Sequence, residues 1–163
     1  MRLHIPVPVR WSDLDAYGHV NNATMLTLLE EARILALWDD PNPSSFGDNA
    51  GVGESTQSAP FSGGASAETY TLIARQEVEY LLPIPHLRDP LDVELWIGRI
   101  GGASVDVCYE IFSPVGAEPR LMYARATTVM VLVDVASSRP RRLTDDERTY
   151  LSDFVDAPLE HRR

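Results

Sequence analysis

The sequence predicts an α+β domain in which one long apolar helix is covered by a curved antiparallel sheet of about five strands. Eleven of the 17 side chains from Asn22 to Trp38 are apolar and leave only a narrow polar strip, and the segments after residue 68 alternate apolar and polar residues. The length of 163 residues is typical of one domain. A helix this apolar needs cover on most sides, which a curled sheet supplies.

The helix has recognisable ends. Asn21 or Asn22 can cap its start, since an asparagine side chain accepts a hydrogen bond from a backbone N–H two or three residues later. Pro41 forces the residue before it out of the helical conformation, so the helix ends there at the latest. The pattern predicts about 17 residues, or roughly 25 Å, of helix.

The strands are predicted from period-two alternation and turn residues. Gly101 and Gly102 supply a hairpin turn between two alternating segments, and SPVGAEPR supplies the next turn. Thr144 followed by Glu147 is a capping box, which predicts a short helix near the end. The strand segments, in chain order, are LHIPVPVRW, YTLIARQEVEYLLPI, LDVELWI, VDVCYEI and LMYARATTVMVLVDV.

The predicted domain covers residues 1–154. Within it, residues 41–68 are rich in Gly, Ser and Pro, which predicts a flexible loop or a lid, with Phe46 and Phe61 as its docking points. The last residues, 155–163, have no apolar periodicity and are expected to form a frayed tail.

Charge and cysteine content exclude several classes of protein. The net charge of −10 repels phosphate backbones, so no nucleic-acid partner is expected. Cys108 is the only cysteine, so an internal disulfide is impossible, and this use of cysteine suits the cytoplasm. The N-terminus lacks the apolar core of a signal peptide, and no apolar run is long enough to span a membrane.

The ten residues Asp13–Asn22, DLDAYGHVNN, stand directly before the helix, which itself contains EEAR. With the strand meander, they resemble the hotdog-fold thioesterases, specifically the 4-hydroxybenzoyl-CoA thioesterase-like acyl-CoA thioesterases, from about Leu3 to Leu151. The resemblance implies hydrolysis of an acyl-CoA to a free acid and CoA. It implies no metal and no cofactor, CoA being part of the substrate, and a homodimer or homotetramer with active sites at the subunit interface.

By this resemblance Asp15 is the catalytic general base or nucleophile. The first N–H groups of the helix, near Asn22 and Ala23, lack helical partners and are suited to polarise the thioester carbonyl. Asp15 can alternatively serve only to stabilise a turn. Asp13 is expected in a structural turn or an ion pair with Arg10.

His19 is expected to position water or to donate to the carbonyl, unless it only packs. Similar plant acyl-carrier-protein thioesterases carry D-x-N-x-H-V-N-N, in which the Asp, the first Asn and the His are functional. Asp15 and His19 match that pattern, whereas Tyr17 replaces the Asn.

The remaining candidates contact substrate. Gly18 permits a positive φ or a close approach to the thioester. Each of these residues can instead have a purely structural role: Asn21 can cap the helix, Glu30 can pair with Arg33, and the arginines can be surface charges. The substrate-binding candidates are Tyr17, Gly18, Asn21, Glu30 and Thr127, with Arg88 and Arg99 (and His86) for the CoA phosphates.

Three alternative functions stay open at this stage. An acyl-carrier-protein thioesterase is disfavoured because carrier proteins are usually acidic, as this chain is. A hotdog enoyl-thioester hydratase lacks support, since its Asp-to-His spacing is not reproduced. A nonenzymatic acyl-CoA-binding protein would have no need of Asp15.

Overall fold

The computed structural model describes residues 1–38, 59–61 and 67–162, which form one antiparallel sheet and two α-helices. Its elements are β1 (Leu3–Val7), a 3₁₀ turn (Trp11–Asp13), α1 (Asn22–Leu37), β2 (Thr69–Tyr80), β3 (Leu91–Ile100), β4 (Ser104–Phe112), β5 (Met122–Asp134), β6 (Arg139–Pro140) and α2 (Asp145–Ser152). The predicted helix ends are confirmed, and Thr144 and Glu147 form the predicted capping box of α2.

The sheet has the strand order β1-β3-β4-β5-β2, with the two-residue β6 added beside β5. Strands β3, β4 and β5 form a meander, while β2 runs along the far edge although it precedes them in the chain. The curved sheet packs one face on α1, so the predicted α+β architecture is confirmed.

The helix is covered by this chain on one face. Met25, Leu28, Leu29 and Ala32 are buried against the sheet. On the opposite side an exposed stripe follows helical spacing, made of Ala23, Thr27, Glu30 and Ile34. The prediction of cover on most sides is therefore not met by the described part of the chain, in which the sheet wraps only one side of α1.

The sheet's outer face, which points away from α1, is also covered over β3. The Arg2 guanidinium lies 3.8 Å from the centre of the Trp96 ring and binds Glu94 and Glu110. Trp96 is fully buried as a result. A period-two pattern implies one buried face, so the sequence did not indicate this second layer.

The C-terminal segment 155–162 is not frayed, contrary to expectation, but crosses the outer face. Trp96 Nε1 donates to the Ala157 carbonyl at 2.9 Å, and the Asp156 N–H donates to Ile97 at 3.0 Å. The segment passes over Gly98, where an added Cβ would lie 3.3 Å from the Pro158 Cα and 2.7 Å from the Cys108 Sγ. The close approach therefore depends on a residue without a side chain.

Most of the predicted loop at 41–68, including Phe46, lies outside the described residues. Phe61 is described and buried, as its predicted docking role requires. Its N–H donates to Leu37, and its ring centre lies 5.2 Å from that of Trp38. Among the described residues, no helix combines the length and apolarity needed to cross a bilayer.

Candidate active site

The motif before α1 folds into a small hairpin in which Leu14 pairs with Val20. The Asp15 N–H donates to His19 O at 2.7 Å, and the Gly18 N–H donates to Asp15 O at 3.1 Å. Gly18 has φ +78°, the positive value that the sequence predicted. Because the hairpin closes on its own backbone, Asp15 and His19 are brought side by side.

The Asp15 carboxylate divides its two oxygens between different tasks. Oδ1 accepts from the Tyr17 N–H at 2.8 Å and from the His19 N–H at 3.1 Å. Oδ2 makes no hydrogen bond and no ion pair with any described residue, and the side chain is only half-buried. The turn-stabilising role is thus observed, and it leaves one oxygen available for chemistry.

The start of α1 leaves one backbone donor open. Asn21 caps the helix, its Oδ1 accepting from Ala23 N at 2.8 Å and from Thr24 N at 3.4 Å. The Ala23 N–H, which was a candidate donor to the thioester carbonyl, is therefore taken by the predicted cap. The Asn22 N–H has no partner within the described part of the chain, so it is the remaining candidate donor to a carbonyl.

Tyr80 is a site residue that the sequence did not reveal. Its hydroxyl donates to the Asn22 carbonyl at 2.6 Å, which joins the end of β2 to the first residue of α1. Partial burial of this side chain raises the pKa of its phenol above the ordinary value. The two residues are 58 positions apart, and no local pattern signals such a contact.

Beneath the hairpin, Asp13 and Arg10 form the ion pair that the sequence predicted. Asp13 is 2% exposed and accepts from Arg10 N at 2.7 Å and from Arg10 Nη2 at 2.9 Å, while its carbonyl accepts from the Asn21 N–H. Burial acts to raise the pKa of the Asp13 carboxyl, but the bonds and charge of Arg10 outweigh it and lower that pKa. Asp13 therefore holds the hairpin against α1.

Tyr17 and His19 are two further candidates of the motif. Tyr17 is 85% exposed, and the half-buried His19 side chain makes no hydrogen bond with the described residues. The backbone of His19 pairs with Pro85, and the neighbouring His86 ring stacks on Trp11 with 4.3 Å between ring centres. Arg88 follows, exposed, in the same connection between β2 and β3.

Three predicted substrate contacts lie elsewhere in the single chain. Glu30 is exposed on α1, 3.7 Å from Arg33, as the simpler alternative proposed. Thr127 lies on the outer face of the sheet, where it bonds to His161 at 2.8 Å. Arg99 pairs with Asp106 near the end of β3, about 26 Å along the strand from its start beside β1. The face of β5 that carries Thr127 and the end of β3 that carries Arg99 decide where these two residues lie. Neither could be predicted from the sequence.

Among the described residues, one cluster offers metal-ligating atoms: those of His4, Asp92 and Glu94 lie within 4.8 Å of one another. Arg120 already binds both carboxylates, at 2.8 Å to Asp92 and 2.7 Å to Glu94. This cation neutralises the donors, so the cluster fits an ion-pair network better than a metal site. The absence of a metal from the reaction stays a prediction.

Comparison with known proteins supplies the family. The family model described as thioesterase-like superfamily matches residues 9–157. The chain belongs to the thioesterase-like superfamily. It is therefore a thioester hydrolase with the hotdog fold, as the motif predicted. No curated protein sequence matches it.

Solved structures with the same fold cover nearly the whole chain. A predicted thioesterase from Bacillus stearothermophilus is 24% identical, with TM-score 0.68 over 98% of this chain and 100% of its own. A Thermus thermophilus thioesterase complexed with coenzyme A and Zn is 26% identical, with TM-score 0.63 over 96% of each chain. A 1,4-dihydroxy-2-naphthoyl-CoA thioesterase from Synechocystis is 21% identical, with TM-score 0.67 over 94% and 97%.

Proposed function

We propose that this thioesterase hydrolyses an acyl-CoA to a free acid and CoA at the junction of the hairpin and α1. The observation that carries the proposal is that one motif contains both a carboxylate oxygen and a helix N–H without a described hydrogen-bond partner. Asp15 Oδ2 is an acceptor and the Asn22 N–H a donor of the motif, and neither makes a hydrogen bond with a described residue. The solved Thermus relative in complex with coenzyme A supports CoA as the carrier of the acyl group.

In the proposed reaction, Asp15 Oδ2 removes a proton from a water molecule, whose oxygen attacks the thioester carbon. The carbonyl oxygen becomes an oxyanion, which accepts a hydrogen bond from the Asn22 N–H. The intermediate collapses by breaking the C–S bond, and the leaving CoA thiolate takes the proton held by Asp15. The Asp15 carboxylate is thereby regenerated, and no cofactor is consumed.

The bonds to Oδ1 hold the carboxylate in one orientation, which suits Oδ2 both to act as a base and to attack the thioester carbon. A nucleophilic Asp15 would instead form a mixed anhydride with the acyl group. Acid quenching during turnover, followed by mass measurement of the protein, distinguishes the two. A species heavier by one acyl group on Asp15 would assign the nucleophilic role.

We also propose that the enzyme works as a homodimer, in which a second copy covers α1 and the edge strand β2. Leu72, Ile73 and Tyr70 on β2 are partly exposed, as is Ile34 on the exposed stripe of α1. An unpaired edge with apolar side chains is a natural pairing surface. Light scattering should give twice the chain mass, and Leu72→Arg should lower it. A monomeric wild type would contradict the proposal.

The decisive experiment measures free thiol released from acyl-CoAs of different chain length and aromaticity, with Asp15→Asn beside the wild type. Asn keeps an oxygen for the two N–H groups and removes the base, so the variant should fold and lose activity. If no thiol is released from any acyl-CoA but thiol is released from an acylated acyl carrier protein, the carrier-protein alternative is assigned. Hydration of an enoyl-CoA would assign the hydratase, and binding without turnover the nonenzymatic alternative.

His19 is proposed to orient the attacking water, since its backbone N–H donates to Asp15 Oδ1 and its half-buried ring makes no hydrogen bond with a described residue. His19→Gln should lower kcat about tenfold or more while KM changes little. If the variant instead loses melting temperature at unchanged kcat, then His19 only packs.

A further inference from the structure

Trp11 is an exposed aromatic side chain on a rigid backbone. Trp11 is 76% exposed, whereas Trp96 is fully buried. The 3₁₀ turn that carries Trp11 is fixed by Asp13, which accepts from the Arg10 N–H at 2.7 Å. A large apolar ring held in water is unfavourable in the unliganded chain, so a ligand that covers it gains free energy.

The indole presents one free face. Its other face lies on the His86 ring, with 13° between the ring planes. The stack adjoins the hairpin, because Pro85 pairs with His19 and the Val20 N–H donates to Ile84 O at 2.8 Å. Trp11 also stands four residues before Asp15, so their Cα atoms are at most about 14 Å apart. A flexible pantetheine arm can span such a distance.

A cation follows the stack closely in the chain. Arg88 is exposed two residues after His86 and makes no ion pair with any described residue. Arg10, by contrast, is bound to Asp13. In a chain with net charge −10, an arginine without a described ion pair only two residues from an aromatic stack is a local exception. It suits the planar base and the phosphates of a nucleotide.

We propose that Trp11 and Arg88 form the subsite for the nucleotide part of the CoA substrate. The adenine stacks on the free face of Trp11, and Arg88 binds a phosphate. This subsite rests on the proposed acyl-CoA hydrolysis and sharpens it. An acyl carrier protein holds its pantetheine on a serine phosphate and brings no adenine, so the subsite selects CoA over a carrier protein.

Binding is tested with adenosine 3′,5′-bisphosphate, which is the nucleotide of CoA without its phosphopantetheine arm. Titration should quench tryptophan fluorescence in the wild type and in Trp38→Phe, but not in Trp11→Phe. Calorimetry should show about tenfold weaker binding to Trp11→Ala. Arg88→Gln should also weaken binding, whereas Arg139→Gln should not, since Arg139 is an exposed arginine on β6 with no ion pair to a described residue. No quenching in the wild type would overturn the subsite, whatever the enzyme hydrolyses.

The kinetic test compares one acyl group on CoA and on pantetheine. Trp11→Ala should lower the ratio of kcat/KM on acyl-CoA to kcat/KM on acyl-pantetheine about tenfold. Equal losses on both substrates, or a changed oligomeric mass, would overturn the proposal and make Trp11 a subunit contact. If the wild type releases no thiol from either substrate, the proposed function fails, while the titration still decides whether the nucleotide binds.

Discussion

The hairpin before α1 and the outer face of the sheet carry similar residue types but differ in how those residues are bonded. On the outer face, Glu79 pairs with Arg125 at 2.8 Å and lies 3.6 Å from His161, which bonds to Thr127. In the hairpin, Asp15 has His19 beside it but no ion pair among the described residues. Chemistry is therefore expected where an acid keeps a free oxygen, and residue types alone do not locate it.

The largest expected effect separates the acids of these two regions. Asp15→Asn should lower kcat/KM for an acyl-CoA about 10²- to 10⁴-fold relative to Glu79→Gln, because only Asp15 is proposed as a base. Thiol release and melting temperature should be measured for both variants. Comparable activity in the two folded variants would remove the distinction between the regions.

The next effect concerns the support under the hairpin. Asp13→Ala removes a buried partner of Arg10 and should lower the free energy of unfolding by about 2–3 kcal/mol, since Arg10 itself stays largely solvated. Urea unfolding measures the change. Asp145→Ala, in the exposed first turn of α2, is the control and should lose less than about 1 kcal/mol. Equal losses would show that Asp13 has no special role.

A third effect tests the closed state of the outer face. Gly98→Ala should destabilise the fold by about 1–3 kcal/mol, because the new methyl group meets Cys108 and the C-terminal segment. A thiol reagent should then label Cys108 faster, since burial raises the pKa of that thiol in the wild type. Gly102→Ala is the matched control, because its added Cβ meets nothing within 4 Å. Unchanged labelling in Gly98→Ala would refute the close crossing.

The smallest expected effect is the change of stability with pH, which is slight near neutral pH and appears in acid. Burial acts to raise the pKa values of Asp13 and Glu147, but their arginine partners outweigh it and lower both. A depressed folded-state pKa adds stability above the unfolded value, near 4, which is lost as the pH falls through the folded value. Melting temperature should therefore drop below about pH 4, less steeply in Asp13→Ala than in the wild type. Parallel curves would contradict this linkage.

Local patterns predicted what local forces determine. The cap at Asn21, the positive φ at Gly18 and the Arg10–Asp13 pair all arise within a few residues, and each is confirmed. Alternation in β3 and β4 likewise predicted the side chains that face α1, such as Val93 and Val107.

Features formed between distant segments were not predicted. Residues 155–162 have no periodicity of their own and are ordered by contacts to Trp96 and Ile97 about 60 positions earlier. Which face Thr127 occupies depends on strand register, and the contact of Tyr80 with Asn22 depends on strand order. Neither register nor strand order is encoded in a short window.

The crossing at Gly98 has a use in reading other sequences. A chain that carries a side chain at the equivalent position cannot route its C-terminal segment as close to the sheet as the Pro158 Cα lies here. The residue at that one position therefore indicates whether a C-terminal segment can cover the outer face of the sheet this closely. In a relative whose outer sheet face is uncovered, that face would be open to other molecules. The residue at this one position therefore marks a surface at which two such proteins would differ in what they bind.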